Sequence, residues 1–412
     1  MRFKMTSLEK KWVLYDVANS AFTMMVSTII PIYFNQLGKQ AGLSEVNYLA
    51  YWGYTISVST LLVAILGPVL GAASDKNRRK KFFFAMTVII GSIGCFLLGF
   101  ITQWLVFLLL FCIVKTVYSV SLVIYDSTLD DVTTPERMDE LSSQGYAWGY
   151  IGSCVPFIAC LVLVLMADKI GLSQMTALTI SFLITALWWF FVSLPILRAY
   201  EQKNYITNKE EQKANILVQL LTSLKEIAKD KKVLLFLIAF FFYIDGVYTI
   251  IDMSTAYGSA LGLGTTDMLL ALLVTQFVAF PSVIIMGRLA GKYDASALIT
   301  VCICAYFCIS VFAYFMTSAW QFWVLAVVVG MFQGGIQALS RSYFTKIIPA
   351  ERSGEFFGFY DICGKGASVI GTTMMSLVSQ LTGSVNSGVL FLSVFFLVGI
   401  FMFRAAVRAA KS

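Results

Sequence analysis

Long apolar stretches alternate with short polar gaps along nearly the whole chain, and each stretch, at roughly twenty residues, is long enough to cross a bilayer as a helix. About twelve are predicted, at approximately 12–36, 50–73, 82–102, 104–127, 144–167, 174–197, 233–257, 266–290, 296–317, 320–341, 355–380 and 385–407. The fold class read from this pattern is an all-α polytopic membrane protein. The gaps differ in charge by alternation. One set holds Lys76, Arg78, Arg79, Lys80 and Lys81, then the segment from Arg198 to Lys232, then Arg288 and Lys292, then Lys346 and Arg352; the other set holds only Lys39 and Lys169. An even number of spans puts both termini on one side, and the excess of Lys and Arg predicts that this side is cytoplasmic, in the cell membrane.

The polar segment 198–232 divides the chain into a predicted six-helix bundle at 1–197 and a second at 233–412. Within it Ile216, Leu217, Leu220, Leu221, Leu224 and Ile227 recur at helical spacing among lysines and glutamates, which predicts an amphipathic helix on the inner membrane surface. The halves repeat each other. Pro135-Glu136-Arg137, then Glu140, then Gly149 match Pro349-Ala350-Glu351-Arg352, then Glu355, then Gly364, in equal spacing from the arginines onward. A parallel repeat of two bundles predicts a pseudo-twofold arrangement with a central site.

Composition supports the membrane reading, with 58% hydrophobic and 13% charged residues and a mean hydropathy of +0.80. The net charge of +7 follows from the cationic gaps and so predicts no nucleic-acid partner; the expected partners are the bilayer and a small-molecule substrate, with the chain acting as a monomer. Met1–Lys11 is cationic, but the apolar run after it lacks a small-residue cleavage site and reads as a retained first span. The eight cysteines all fall in apolar stretches, where they behave as small hydrophobes. Cys302, Cys304 and Cys308 do not share a helical face and no histidine exists to complete a ligand set, so no metal and no cofactor is expected.

Gly71-Ala-Ala-Ser-Asp75-Lys-Asn-Arg78-Arg79-Lys80-Lys81 follows the second span. It resembles the loop motif of the major facilitator superfamily, with Asn77 and Arg78 where that family usually has Gly. In the second half Gly287-Arg288-Leu289-Ala290-Gly291-Lys292 has Gly291 in the acid's place, so only the first copy is expected to act as a full charge latch. At finer grain the chain resembles the vacuole-effluxer family, whose fungal members export amino acids. The segments that carry this are Trp12 to Phe22, Asp245-Gly246-Val-Tyr-Thr249, and Gly334-Gly335-Ile-Gln337-Ala338-Leu-Ser340-Arg341-Ser342 with Glu355 to Tyr360 and Gly364-Lys365. Ile244 departs from the Asn usual before the Asp-Gly pair, which removes any hydrogen bond carried over there.

Ionisable side chains inside spans are expensive in hydrocarbon and should face a wet cavity or each other. Asp16 and Asn19 share a face of the first span, Asp245 and Asp252 a face of the seventh, and Lys115, Ser119, Leu122 and Asp126 one stripe of the fourth, with Arg341 the repeat counterpart of Asp126. Each acid is open to three roles: structural pairing, substrate binding and proton coupling. Lys115 is open to a substrate carboxylate or an internal pair with Asp16 or Asp126. Gln276, Gln333 and Gln337 line the path or cross-link helices. Asp361 and Lys365 have helical ion-pair spacing. Together with Gly71, Asp75, Arg78, Arg79, Arg137, Glu140, Arg352 and Glu355 they form the expected cytoplasmic gate. Close helix packing is expected at the G-x-x-x-G runs Gly67–Gly71, Gly145–Gly149, Gly330–Gly334 and Gly354–Gly358.

These readings converge on a secondary active transporter, not an enzyme, that moves a small polar solute by alternating access. The family resemblance implies amino acids as substrate class. A membrane transferase is disfavoured by the missing histidine, nucleophile elbow and phosphate loop. A lipid or cell-wall-fragment carrier, or a transporter-like sensor, stays open.

Overall fold

Apolar residues that must satisfy their own backbone in hydrocarbon have no choice but helix. The computed structural model describes residues 3–260, 265–316 and 318–411, and over these the chain is almost entirely helical. In order the helices are α1 (Ser7–Ser27), α2 (Ile29–Gln40), α3 (Glu45–Ser74), α4 (Lys80–Leu98), α5 (Trp104–Asp126), α6 (Leu129–Val132), α7 (Met138–Leu165), α8 (Gln174–Ala199), α9 (Lys209–Lys213), α10 (Ile216–Lys229), α11 (Lys231–Ala260), α12 (Thr265–Ala290), α13 (Ala295–Tyr314), α14 (Ala319–Ile347), α15 (Ser353–Lys365), α16 (Ala367–Thr382) and α17 (Val385–Lys411). Taking α1 and α2 as one unit, 11 helical units among the described residues are long and apolar enough to cross a membrane.

Two expected spans are not single helices. The first breaks at Thr28, where φ is −133° and ψ −73°. Pro31, three residues on, has no N–H for the Ser27 carbonyl; at the break the Thr28 N–H turns to the Met25 carbonyl at 3.2 Å, and Thr28 Oγ1 donates to the Met24 carbonyl at 2.5 Å. The eleventh divides into α15 and α16 at Gly366, which keeps helical dihedrals and still donates to the Ile362 carbonyl at 2.9 Å.

Side chains pack into two large apolar clusters. One draws on residues from Trp12 to Tyr200, and the other, apart from Val123, on residues from Ile227 to Ala406. A small third cluster of Ala147, Val283 and Ala338 bridges them where α7, α12 and α14 meet. The two sets of helices therefore have separate cores and touch along narrow seams.

The middle segment is bonded to both. Tyr200 donates to Asp131 at 2.5 Å, Gln202 accepts from the Lys80 N–H at 3.0 Å, and the Ile206 N–H donates to the Asp75 carbonyl at 3.0 Å. Farther on, Gln219 and Ser223 of α10 donate to the Glu355 carboxylate at the start of α15. Opposite that polar edge, Leu217, Val218, Leu221 and Leu224 of α10 stand exposed. The end of the molecule that carries this segment also carries the start of α1 and the end of α17; we call it the terminal face.

Candidate functional site

Small residues set how closely the halves approach at the terminal face. α3 crosses α15 at Gly71 and Gly354, where a Cβ on Gly71 would collide with the Gly354 carbonyl and one on Gly354 would lie 2.7 Å from the Gly71 carbonyl. One turn further in, Gly358 rides on Pro68. The two G-x-x-x-G runs thus pack against each other across the seam. In the second half α12 crosses α7 at Gly287, where a Cβ would lie 2.6 Å from Cβ of Ser143.

Asp75 closes the first seam. Its carboxylate accepts from the Gly354 N–H at 3.0 Å and the Glu355 N–H at 2.9 Å, capping α15, and pairs with Lys80 at 3.2 Å. Burial pushes the Asp75 carboxyl up to about 6, against the pull of Lys80 and the two N–H groups. The expected latch cations, Arg78 and Arg79, are both exposed instead. Arg78 adopts φ 56° beside Asn77 at φ 54°, so two side chains occupy the left-handed turn that glycine usually fills, and this swings Arg78 outward over the Tyr205 ring at 4.8 Å. Lys80, next in line on the first turn of α4, takes the buried place.

Arg341 of α14 closes the second seam. It is 1% exposed, and each of its three side-chain nitrogens donates: Nη1 to Asp126 at 2.9 Å, Nη2 to Asp16 at 3.3 Å and to the Ser142 carbonyl at 3.0 Å, and Nε to Ser142 Oγ at 2.9 Å. Trp12, Tyr125 and Tyr146 surround the guanidinium at 4.8, 5.6 and 4.4 Å. Asp139 adds a further tie, accepting from Ser342 at 2.7 Å and pairing with Lys346 at 2.6 Å.

Arg137 and Glu140, expected to act together, do not pair. Arg137 turns back to Glu9 at 2.6 Å, and Glu140 is left facing the charge of Arg288. Arg352 does reach Glu355, at 3.2 Å, and also Glu226 of α10 at 2.6 Å. Asp361 and Lys365 pair at 2.7 Å.

Beyond Arg341 lies a cavity of about 470 Å³ between the halves, lined by Asp16, Asn19, Lys115, Asp126, Gln276, Gln333, Gln337, Asp252, Arg341 and Lys365 among others. On α1, Asp16 and Asn19 are buried but Thr23 and Ser27, farther from the terminal face, are exposed on its wall, so the cavity opens away from the sealed end. Lys115 on α5 faces it with no carboxylate within 4 Å among the described residues; the strongest opposite charge acting on it is Asp252 of α11, across the cavity. Neither of the internal partners weighed for Lys115, Asp16 and Asp126, is available, because Arg341 holds both. A smaller apolar recess opens beside Gln276 and Gln333, lined by Met253, Leu272, Phe322 and Val329.

Asp245 does not flank the cavity. It is fully buried against α16, where one carboxylate oxygen accepts from Thr249 at 3.2 Å and from the Gly371 N–H at 3.1 Å. Gly371 has no side chain to hold α16 away, so the backbone seals over the acid. Sequence reasoning missed Lys80 as the latch cation, the Trp12–Tyr125–Tyr146 box, and Asp130, Asp131 and Asp139. The signal for the last three was present in acids crowded just after the fourth span, beside Arg137 and Glu140.

Over residues 7–412 the chain matches the family described as vacuole effluxer Atg22 like. It is 42% identical over 405 residues to the MFS-type transporter YxiO of Bacillus subtilis, covering 97% of this chain and 95% of that protein. It is 22% identical to autophagy-related protein 22 of Kluyveromyces lactis, over 96% and 92% of the two chains. Among solved structures it resembles the Escherichia coli fucose:proton symporter FucP at a TM-score of 0.72, with 14% identity over 97% of each chain. It also resembles a bacterial homologue of the iron transporter ferroportin in an outward-facing state at 0.67, with 12% identity over 98% and 99%. Identities this low speak to fold alone.

Proposed function

The chain belongs to the Atg22-like vacuole effluxer family and is a transporter of the major facilitator type, and from this premise we propose that it carries small zwitterionic solutes, amino acids or related metabolites, by alternating access. The carrying observation is the pair of opposite charges on opposite walls of the cavity, Lys115 from the first half and Asp252 from the second. A solute carboxylate meets Lys115 and its ammonium meets Asp252. A zwitterion then supplies each cavity charge with the partner the protein withholds, and in doing so draws the halves together. The cationic gaps favour a cell-membrane protein with both termini cytoplasmic, and hence a state open to the outside with the cytoplasmic end sealed. Proton coupling and action as a single chain complete the reading, with Asp252 the cavity carboxylate left free of Arg341 to exchange a proton.

The test is uptake of a labelled amino-acid mixture into proteoliposomes with and without an imposed pH gradient. Gradient-stimulated accumulation is expected, with at least a tenfold loss of apparent affinity in Lys115→Ala and Asp252→Asn. Normal affinity of Lys115→Ala for every transported solute would overturn the assignment of the cavity charges. The apolar recess favours a second reading, a lipid or cell-wall-fragment cargo, which gains if no amino acid accumulates against a working positive control.

A further inference from the structure

Among the described residues, one carboxylate at the sealed end has no donor from any other residue. Asp130, on the short helix α6, has both side-chain oxygens shut off from solvent and without a hydrogen-bond partner. The groups around it are already committed. Lys80 of α4 has three N–H donors, and they go to Asp75 at 3.2 Å, the Ser127 carbonyl at 3.1 Å and Ser353 of α15 at 2.8 Å. Asp131, its neighbour on α6, takes Tyr200 at 2.5 Å and the N–H groups of Lys203 and Asn204 at 3.0 and 2.7 Å. Asp75, at the end of α3, is satisfied by Lys80 and the first turn of α15. Three carboxylates thus share one ammonium, and the two with full hydrogen-bond sets are Asp75 and Asp131.

We propose that Asp130 is a proton-binding site of the sealed terminal face, filled when α3 and α15 meet and emptied when they part. A proton supplies the charge balance that Lys80 cannot give to three acids at once. Separation of the seam withdraws Ser353, returns a Lys80 N–H and admits water, so the ionised carboxylate is stabilised again. Burial pushes the Asp130 carboxyl up to about 7, with Asp131 and Asp75 adding to the rise and Lys80 opposing it. Its value in the sealed state therefore lies above the ordinary 3.8 of the hydrated, open state. Sealing takes up the proton, is favoured at low pH, and loses that support as pH rises through the sealed-state value. The site lies in the gate and is independent of what the cavity carries.

The experiment is a spin-label distance measurement on the full chain in nanodiscs without substrate, with labels at Arg79→Cys and Glu351→Cys and the exposed Cys304 and Cys308 removed. In the otherwise unchanged chain the ratio of sealed to open molecules should fall about tenfold from pH 6 to pH 8, as linkage to one group titrating near 7 requires. Asp130→Asn, a permanent mimic of the protonated acid, should stay sealed across that range. Retention of the full pH slope in Asp130→Asn overturns the proposal. Should the amide fail to fold, Asp130→Glu decides instead: its longer carboxyl keeps the slope with a displaced midpoint, and an unmoved midpoint overturns the site. Because no solute is present, failure here is distinct from failure of the amino-acid assignment.

Discussion

The two seams at the terminal face occupy equivalent places in the repeat, yet they are held by different means. Where α3 crosses α15, backbone lies on backbone, and an acid at the end of α3 caps the facing helix. Where α12 crosses α7, the position equivalent to that acid is Gly291, and the tie comes from α14, through Arg341 and Lys346 to Asp16, Asp126 and Asp139. The repeat preserved the small residues that let helices cross and relocated the charges that lock the crossing. Geometry of approach is shared by duplication, whereas electrostatic locking is solved separately on each side.

Removing the second lock should have the largest effect. Arg341→Met leaves the buried Asp16 and the partly buried Asp126 without their cation, which by analogy with broken buried pairs destabilises the sealed state by about 3–5 kcal/mol. Thermal unfolding of the purified protein and labelling of a cysteine placed on the cavity floor should both register it. An unchanged melting temperature together with an unchanged labelling rate would show that the guanidinium is dispensable.

A smaller effect separates the seams by what their glycines touch. Gly71→Ala collides with a carbonyl that cannot move aside and should cost about 1–3 kcal/mol as overpacking, whereas Gly287→Ala meets a serine side chain and should cost about half as much. Equal losses of thermal stability would mean that the two crossings are equally rigid. Smallest of all is Gly291→Asp, which restores the missing acid. Asp139 and Glu140 already crowd the first turn of α7, so the graft should gain nothing and change stability by less than about 0.5 kcal/mol. A gain comparable to that of the Asp75 cap would show that sequence symmetry alone could have rebuilt the lock.

Much of this was legible beforehand, and the boundary has physical causes. Hydropathy located the spans because hydrocarbon permits little but helix, and the alternating gap charge located the common end of the two termini. Arg341 and Asp126 were recognised as counterparts in the repeat, but that they pair with each other, at 2.9 Å, was not read from the sequence. Asp245 was placed beside the cavity from its seven-residue spacing to Asp252, but helical spacing fixes only azimuth. At Asp245 the Gly371 backbone of α16 covers the carboxylate, whereas Asp252 lines the cavity. Arg78 and Arg79 were assigned to the latch by resemblance to the loop motif of the major facilitator superfamily, and the left-handed turn at Asn77 and Arg78 passed that role to Lys80. Backbone handedness at two residues is not encoded in any hydrophobic pattern.

The middle segment has a consequence for where one half ends and the other begins. Tyr200, Gln202, Lys203, Asn204 and Ile206 bond back to residues of the first half, while Gln219, Ser223 and Glu226 bond forward to Glu355 and Arg352 of the second. Only the stretch around α9 separates these two allegiances. A polypeptide cut there would yield two fragments that each keep nearly all of their own side's fastenings, the Lys76 bond to the Ala214 carbonyl being one that must re-form between them. The natural dividing line of this protein is thus a few residues wide and lies inside what reads, by composition, as a single loop.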